Sequence, residues 1–514
     1  MIGLQKITVP LREDELTLEN ITEYLQSVYS DFYLNSQKIR ENYNFYKGEH
    51  SVLQKKRRYE DDEINNAQVV NQYIWFMVNF KCGYAYGRPL EFARKEPDES
   101  PVMPTFNKYL SKIDFAGLTT NLAEWVYATG VAYAYTQPYK SEDKDNIPPF
   151  KCYHIESDRC TKVYSSYIGN EPLFDMIVTP INKYINGSIT QYNILSIYTK
   201  NQYWEFEYTI SSQTLNQALN KIPVKSGENN SGMLPLTEFF VNKDHISISE
   251  SCRAIQDAID SIDSDSVDNI NDFVNQMLVL KNNSLGKTNE EKQENLRAAK
   301  KNGVIELFDE NKDIQADIKS LVLALNYSDV NVIKNQLKSD MFGCWGVPLP
   351  SVGVSSGNIT KSGSEITNGW NNSYACILKE NNNMLIGLKS LISTFLVICD
   401  EMPDRKLNGL KIGDLEIKYN IARSDNLQAK TQSYTYLVEN NVPPEIALSI
   451  CELTSDPQSV GKRIEEYADK KRKIEQEEKQ KEYFRETDNI EASERLAKNN
   501  AQNNESELDK RKGD

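Results

Sequence analysis

The stretch SVGVSSGNITKSGSE, residues 351–365, comes nearest to a nucleotide-binding motif. Gly353 and Gly357 could form a glycine-rich cradle for phosphates, and Lys361 followed by serine would complete a phosphate-binding loop. Such a loop requires the pattern G-x-x-x-x-G-K-[ST]. Here Thr360 occupies the position where a glycine must precede the lysine, and the two glycines are too close together. The pattern therefore argues against an ATP site.

The segment before this stretch predicts a helix, whereas a phosphate-binding loop follows a strand. Apolar residues recur there with a helical period, at Val330, Ile333, Leu337 and Met341. Pro348 ends this helix. Glycine and serine give a loop mobility without a hydrophobic anchor. We therefore expect a flexible loop between two helices.

Catalytic and metal-binding constellations are also missing from the sequence pattern. Residues Asp244, His245 and Ser247 are neighbours in the sequence, but successive residues of an extended segment point in alternating directions and do not build a triad. The 3 histidines lie far apart, and none belongs to a zinc motif. We therefore expect no catalytic residue, no cofactor and no metal site.

An acidic stripe marks the helix predicted over residues 248–280, opposite a stripe of isoleucines. Its carboxylates are Asp257, Asp260, Asp263, Asp265, Asp268 and Asp272. Duplex DNA carries a negative charge about every 1.7 Å of its axis, so a ring of carboxylates would repel it and keep it centred. An ordinary amphipathic helix with a solvated acidic face is the alternative that this pattern leaves open.

The composition indicates a folded chain of roughly two to four domains within 514 residues. A net charge of −15 argues against a nucleic-acid coat protein, which would be basic, but not against a protein that lets DNA slide past. The 8 cysteines form no C-x-x-C motif and no secretory signal is evident, which favours reduced thiols in a cytoplasm. The apolar stretch 383–399 is short and contains Lys389, so we expect a buried helix rather than a membrane span.

The periodicity divides the chain into helical and strand-forming regions. It predicts an antiparallel sheet over 131–210 and helices in most of the other regions. Those helices are expected over 16–47, 65–83, 114–130, 248–280, 328–346, 362–402 and 426–441, with a small α/β patch of strands around a helix over 289–303 and a strand over 414–421.

Two charged stretches allow more than one interpretation. KKRRYEDDE (55–63) is best interpreted as a solvated loop, with a nucleic-acid contact as the alternative. From Gly461 the chain is almost entirely charged or polar, which predicts an exposed helix that gives way to disorder. That tail could serve for solubility or for binding.

Several segments, in this order, resemble the portal proteins of tailed bacteriophages, in particular the group typified by the Bacillus siphophage (SPP1-like) portal. NYNFYKGEH (42–50) and NNAQVVNQYIWFMVNFKCGYAYGRPL (65–90) resemble the N-terminal signature of that family. LPLTEFFVNKD (234–244) resembles the segment that leads into its stem, and MFGCWGVPLPSVGVSSGN (341–358) resembles the segment that leads into its loop. The resemblance spans roughly residues 40–450.

This resemblance implies an α+β portal-type subunit with a helical stem, a small α/β clip, a mixed α/β wing and a helical C-terminal crown. The expected parts are the wing (1–247), the stem helices (248–272 and 328–346), the clip (273–327), the tunnel loop (347–361), a long helix with a wing strand (362–424), and the crown with its charged tail (425–514).

The resemblance also implies a function. Portal subunits form a ring of about twelve copies at one capsid vertex, which serves as the channel for DNA packaging and ejection. The implied partners are double-stranded DNA, the terminase large subunit, the head–tail connector, and the major capsid and scaffolding proteins, with no membrane. The place of action is the virion, after assembly in the host cytoplasm, and packaging draws its ATP from the terminase, so this chain is not expected to be an enzyme.

Two sets of residues are expected to face the DNA on this basis. In the tunnel loop they are Ser355, Ser356, Asn358 and Lys361; in the stem they are Asp257, Asp260, Asp265, Asp268 and Asp272. A non-ring adaptor or scaffold-like interaction protein is the competing hypothesis.

Overall fold

The computed structural model describes most of the chain. The described residues are 3–55, 66–95, 102–140, 147–185, 187–209, 212–219, 222–229, 231–274, 278–281, 288, 290, 304–307, 318–320, 327–348, 363–401, 407, 409–419, 421, 427–451, 453–454 and 457–510. They form two compact units, Met1–Ala422 and Arg423–Asp514.

The helices of the first unit lie in most of the regions predicted to be helical, and two further helices, over 102–112 and 212–219, were not predicted. They are α1 (Leu18–Lys47), α2 (Tyr73–Tyr86), α3 (Val102–Lys112), α4 (Phe115–Thr129), α5 (Ser212–Leu219), α6 (Ile248–Val274), α7 (Tyr327–Cys344) and α8 (Gly363–Glu401).

Local capping signals set both ends of α1. The Thr17 side chain accepts a hydrogen bond from the Asn20 amide at the start of α1, and Gly48 ends that helix with φ of 107°. Both predicted bounds of α2, residues 65 and 83, are wrong, because the helix begins at Tyr73 and continues to Tyr86. The buried residues that follow Gly83 outweigh the penalty of about 1 kcal/mol for a glycine inside a helix.

The strands form several sheets. In chain order they are β1 (Thr8–Val9), β2 (Glu91–Arg94), β3 (Ala132–Pro138), β4 (Phe150–Ile155), β5 (Cys160–Ser165), β6 (Pro172–Ile185), β7 (Ser188–Tyr198), β8 (Gln202–Tyr208), β9 (Lys225–Glu228), β10 (Leu236–Phe239), β11 (Leu278–Lys281), β12 (Val304–Leu307), β13 (Ile318–Ser320) and β14 (Leu415–Lys418).

The predicted antiparallel region is confirmed, but it is divided between two sheets. Six strands pair in the order β1-β5-β6-β7-β8-β9, antiparallel except for β1 with β5, while β3 and β4 join β10 in a second sheet. In the predicted α/β patch, β11 lies between β12 and β13. The helix predicted over 289–303 lies outside the described residues, apart from Glu290. The mixed α+β fold class is confirmed.

Helix α8 lies in the largest hydrophobic core and supplies many of its side chains. Its segment Trp370–Glu401 has the length and hydropathy of a membrane span, yet more than half of its apolar 18-residue stretch is buried inside the protein. Phe395 stacks on Phe150 of β4, with 4.1 Å between the ring centroids. Such burial is what a core helix requires, as the sequence predicted for residues 383–399.

A buried ion pair joins α8 to two N-terminal helices. Lys81 of α2 is fully buried, and its Nζ donates to both oxygens of Glu380 at 2.8 and 3.1 Å. The Tyr127 hydroxyl of α4 donates to the same carboxylate at 2.8 Å. Burial and the Glu380 charge raise the pKa of Tyr127 well above its usual value, so the hydroxyl stays a donor. Three helices are thereby held in one register.

The second unit is helical. It contains α9 (Leu427–Glu439), α10 (Pro444–Ile450) and α11 (Pro457–Lys510). The turn between α9 and α10 uses Asn441 at φ of 63°, and Pro443 precedes the first residue of α10. The predicted exposed helix beyond Gly461 is confirmed, whereas the predicted loss of structure is wrong as far as Lys510, because α11 is continuous.

We predict that Glu380→Gln lowers the free energy of unfolding by about 3 kcal/mol or more, because the fully buried Lys81 ammonium loses its counter-charge. The matched control is Glu156→Gln, which removes the same charge from an exposed pair with Arg159 and should change stability by less than about 1 kcal/mol. Urea unfolding followed by circular dichroism measures both. Equal losses of unfolding free energy in the two variants would contradict the conclusion that Glu380 stabilises the buried Lys81 charge.

Candidate functional site

The two predicted stem helices, α6 and α7, pack together and run antiparallel. Near one end the Trp345 indole donates to the Ser251 hydroxyl at 2.8 Å. Towards the other end Lys334 of α7 lies 2.5 and 2.6 Å from the two oxygens of Asp263. One of the six aspartates of α6 is therefore neutralised by the other predicted stem helix.

On a second side, α6 runs parallel to α1 and to the residues that follow α1. Lys38 pairs with Glu250 at 2.6 Å, and further along Lys55 lies 2.5 Å from Asp265. Of the basic-then-acidic stretch 55–63, Lys55 alone is described, and it forms this ion pair with Asp265.

A third flank of α6 is covered by the extended segment 66–72, which runs in the opposite direction. Its alternate backbone amides donate to side chains spaced four residues apart along the helix. The pairs are Asn71 to Asp260 at 2.9 Å, Val69 to Ser264 at 3.0 Å, and Ala67 to Asp268 at 2.8 Å. Two residues of extended chain advance about 6.6 Å and four residues of α-helix advance about 6 Å, so the two registers match. We call this contact the amide ladder.

Asp260 is the centre of this arrangement and is completely buried. One of its oxygens accepts from the backbone and side-chain amides of Asn71, at 2.9 and 3.0 Å, and from Gln256 at 2.9 Å. The other lies 2.5 Å from Nδ1 of His50, whose ring stacks on Phe45. Because an ionised carboxylate only accepts, we assign the His50 proton to Nδ1. Four N–H groups thus surround one buried carboxylate.

The predicted stem lining divides in the structure. The prediction for Asp260 is wrong, because this residue is buried inside the protein and cannot face a channel. Asp265 has an exposed side chain, and Asp268 is half-buried below the amide ladder. Asp257 is half-buried, with one oxygen that has no hydrogen-bond partner in the described part of the chain. Asp272 belongs to α6, but its side chain lies outside the described residues.

The predicted DNA-facing residues of the tunnel loop, Ser355, Ser356, Asn358 and Lys361, lie outside the described residues. Both flanks of that loop are described, and both rest on α2. At the end of α7, Phe342 meets Phe76 edge to face at 6.1 Å. At the start of α8, Trp370 lies 5.8 Å from Phe80. Helix α2 therefore contacts α7 before the loop and α8 after it.

The turn that leads into the loop is also tied to α8. Gly346 adopts φ of 63°, and the amide of Val347 donates to the Phe342 carbonyl at 3.0 Å, which together end α7 in a left-handed cap. The Ser373 hydroxyl of α8 donates to the Gly346 carbonyl. The chain thus enters the loop from a fixed point.

His50 and Asn71 are the site residues that sequence reasoning missed. Both lie in segments that carried the family resemblance, 42–50 and 65–90. Their shared partner is 210 residues from His50 and 189 from Asn71, beyond the reach of any periodic pattern. Among the described residues, no group of three or more histidine, cysteine, aspartate or glutamate side chains could hold a metal ion.

Comparison with protein families identifies the family of this chain. Residues 28–481 match the family described as phage portal protein, SPP1 Gp6-like. The chain belongs to this portal protein family. The match confirms the resemblance drawn from the motifs. Portal proteins are structural rather than enzymatic, and the membership supports a place at the capsid vertex of a virion.

Two solved structures are also similar to this chain. One is the neck of a native GTA particle computed with C12 symmetry, with 11% identity, 73% of this chain and 88% of that chain covered, and a TM-score of 0.39. The other is the neck of an empty GTA particle computed with C6 symmetry, with 10% identity, coverage of 74% and 89%, and a TM-score of 0.39. No curated protein matches the chain.

We predict that Asp260→Asn lowers the free energy of unfolding by about 3 kcal/mol or more. The amide NH₂ would face N–H donors at close range, and the charge that these donors stabilise would be lost. Asp265→Asn, on the same helix but with an exposed side chain, should change stability by less than about 1 kcal/mol. Urea unfolding of both variants is the measurement. An Asp260→Asn protein as stable as Asp265→Asn would contradict the role given to Asp260.

A second prediction concerns the turn that leads into the loop. Gly346→Ala should destabilise the protein by about 1–3 kcal/mol, because Gly346 has φ of 63° and an added Cβ would lie 2.8 Å from the Cys376 sulfur. Gly343→Ala is the control: this glycine is helical with open space around it, so alanine should stabilise by about 0.5–1 kcal/mol. Thermal unfolding should therefore shift in opposite directions for the two variants. A Gly346→Ala protein as stable as the wild type would show that the left-handed turn at Gly346 does not require glycine.

Proposed function

We propose that this protein forms a closed ring of about twelve copies at one vertex of a phage capsid and serves as the channel for DNA packaging and ejection. The observation that carries the proposal is the family match, which extends over residues 28–481. The ring would dock the terminase large subunit during packaging and the head–tail connector afterwards. It would assemble in the host cytoplasm together with major capsid and scaffolding proteins.

The surface of the stem helices supports assembly. Val267 and Ile270 of α6 have 37% and 48% of their surface exposed, and Val332 and Ile333 of α7 have 64% and 55%. Apolar area contributes about 25 cal/mol per Å² when it is removed from water. Neighbouring stems in a ring would cover these side chains through a head-to-tail contact that closes on itself.

The channel would hold DNA loosely. In our proposal Ser355, Ser356, Asn358 and Lys361 of the tunnel loop touch phosphates through weak contacts that break at each step. Stem carboxylates would repel the duplex and keep it centred, since the phosphates carry a charge about every 1.7 Å. After the correction of Asp260, the carboxylates proposed for this role are Asp257, Asp265, Asp268 and Asp272.

Native mass spectrometry of the purified protein, supported by negative-stain images, tests the ring. We expect a particle of about twelve times the 58.9 kDa chain mass, with a central hole wide enough for duplex DNA. ATP hydrolysis should be absent, because the terminase supplies the energy.

Two results would overturn the proposal. A protein that stays monomeric at every concentration and salt, with or without its scaffolding protein, would favour the non-ring adaptor. ATP hydrolysis that disappears in Lys361→Ala would instead return residues 351–365 to the nucleotide-site hypothesis.

A further inference from the structure

The β6–β7 hairpin extends well beyond the sheet that contains it. The two strands pair as far as Ile185 and Ser188, whereas β5 pairs with β6 only as far as Ile177 and β8 pairs with β7 only from Asn193. Among the described residues, no strand flanks residues 179–192 on either edge. At about 3.4 Å per residue, this two-stranded ribbon reaches about 20 Å past the sheet. We call residues 179–192 the arm.

The tip of the arm is apolar and uncovered. Tyr184 and Ile189 are directly opposite each other in the register, and 75% and 70% of their surfaces are exposed. Ile185 is 39% exposed. A two-stranded hairpin by itself is only marginally stable in water, and its unpaired edges offer free N–H and C=O groups. The arm therefore has both the apolar surface and the backbone groups that a partner would cover.

The charge of the arm indicates which partner it fits. Lys183 is its one charged residue, and this side chain lies 2.5 Å from Glu207 of β8. A nucleic acid would require an excess of positive charge, which the arm lacks. A second copy of this chain carries the same net charge of −15, and an uncharged surface such as the arm can meet it without like-charge repulsion.

The length of the arm also limits like-charge repulsion between two copies. Exposed charges at physiological ionic strength are largely screened beyond about 8 Å. An arm of about 20 Å can therefore reach a neighbour at a place where the acidic surfaces of the two copies lie farther apart than that distance.

We propose that the arm is an intersubunit contact: each copy lays Tyr184 and Ile189 on the neighbouring copy. This inference rests on the proposed ring and specifies one part of its interface. In a closed ring the contact is head-to-tail, so one side of the subunit supplies the arm and the other side receives it.

The test is the double variant Tyr184→Ser, Ile189→Ser in the full-length chain. Truncation of apolar anchors at an interface commonly costs a factor of ten or more in affinity, so half-assembly should require at least about tenfold more protein. Ile168→Ser is the matched control: it removes a fully exposed isoleucine from the turn before β6, and its assembly should equal that of the wild type. Native mass spectrometry over a concentration series gives the assembly midpoint.

A second measurement separates loss of contact from loosening of the arm itself, because Tyr184 and Ile189 also form a cross-strand pair. Hydrogen exchange of the unmodified protein should be slower in the ring than in the free subunit for amides of residues 179–192. Amides in the turn around Ile168 should exchange equally in both states.

The outcomes separate this inference from the proposed function. If the wild type forms rings, but the double variant assembles at the same concentration and arm exchange is unchanged, the arm contact is refuted while the ring stands. If the variant assembles normally but loses binding to major capsid protein, the arm contact between copies is likewise refuted and the arm is assigned to the capsid. If the wild type never forms rings, the proposed function fails first.

Discussion

The packing of α6, the predicted stem helix, depends on the buried carboxylate of Asp260. A buried carboxylate is stable only where N–H donors replace the water that it has lost. Here the donors come from three separate stretches: His50 after α1, Asn71 before α2, and Gln256 on α6 itself. Because these groups must converge within hydrogen-bond distance, α6 cannot rotate or slide without leaving the charge unsatisfied. Helix α6 is thereby fixed to the N-terminal part of the chain.

The Lys81–Glu380 pair does the same for the helix that follows the loop. Its two residues lie 299 positions apart, and the pair joins α2 to α8. Helix α2 therefore has a role at both ends of the loop, since its aromatic residues also contact Phe342 before the loop and Trp370 after it. The helices on either side of residues 349–362 are therefore both fixed to α2.

Most of the local structure could be predicted from the sequence, because its signals act over a few residues. Asp114 and Gly130 bound α4 as expected, since each acts on backbone groups within one turn. The α2 end was misplaced because tertiary burial of Tyr84 and Tyr86 decides it. The pairing of β3 with β10 joins residues about a hundred positions apart and leaves no periodic trace.

The candidate site was only partly predictable for the same reason. Helical periodicity placed the aspartates of α6 on a polar face, but it cannot tell a face open to solvent from one covered by another polar segment. Asp260 and Asp265 look alike in the sequence, yet the first is buried below Asn71 and the second is exposed. The family resemblance named the right segments without indicating that two of them meet on the stem.

The amide ladder also bears on how such a sequence can diverge. Its donors at Ala67, Val69 and Asn71 are backbone N–H groups, which every residue except proline supplies. Side chains at the first two positions are therefore free to drift over evolutionary time without loss of the contact. An insertion or deletion of one residue would instead move every later donor out of step with the helix. Homologues should accordingly keep the length of this segment more faithfully than its composition.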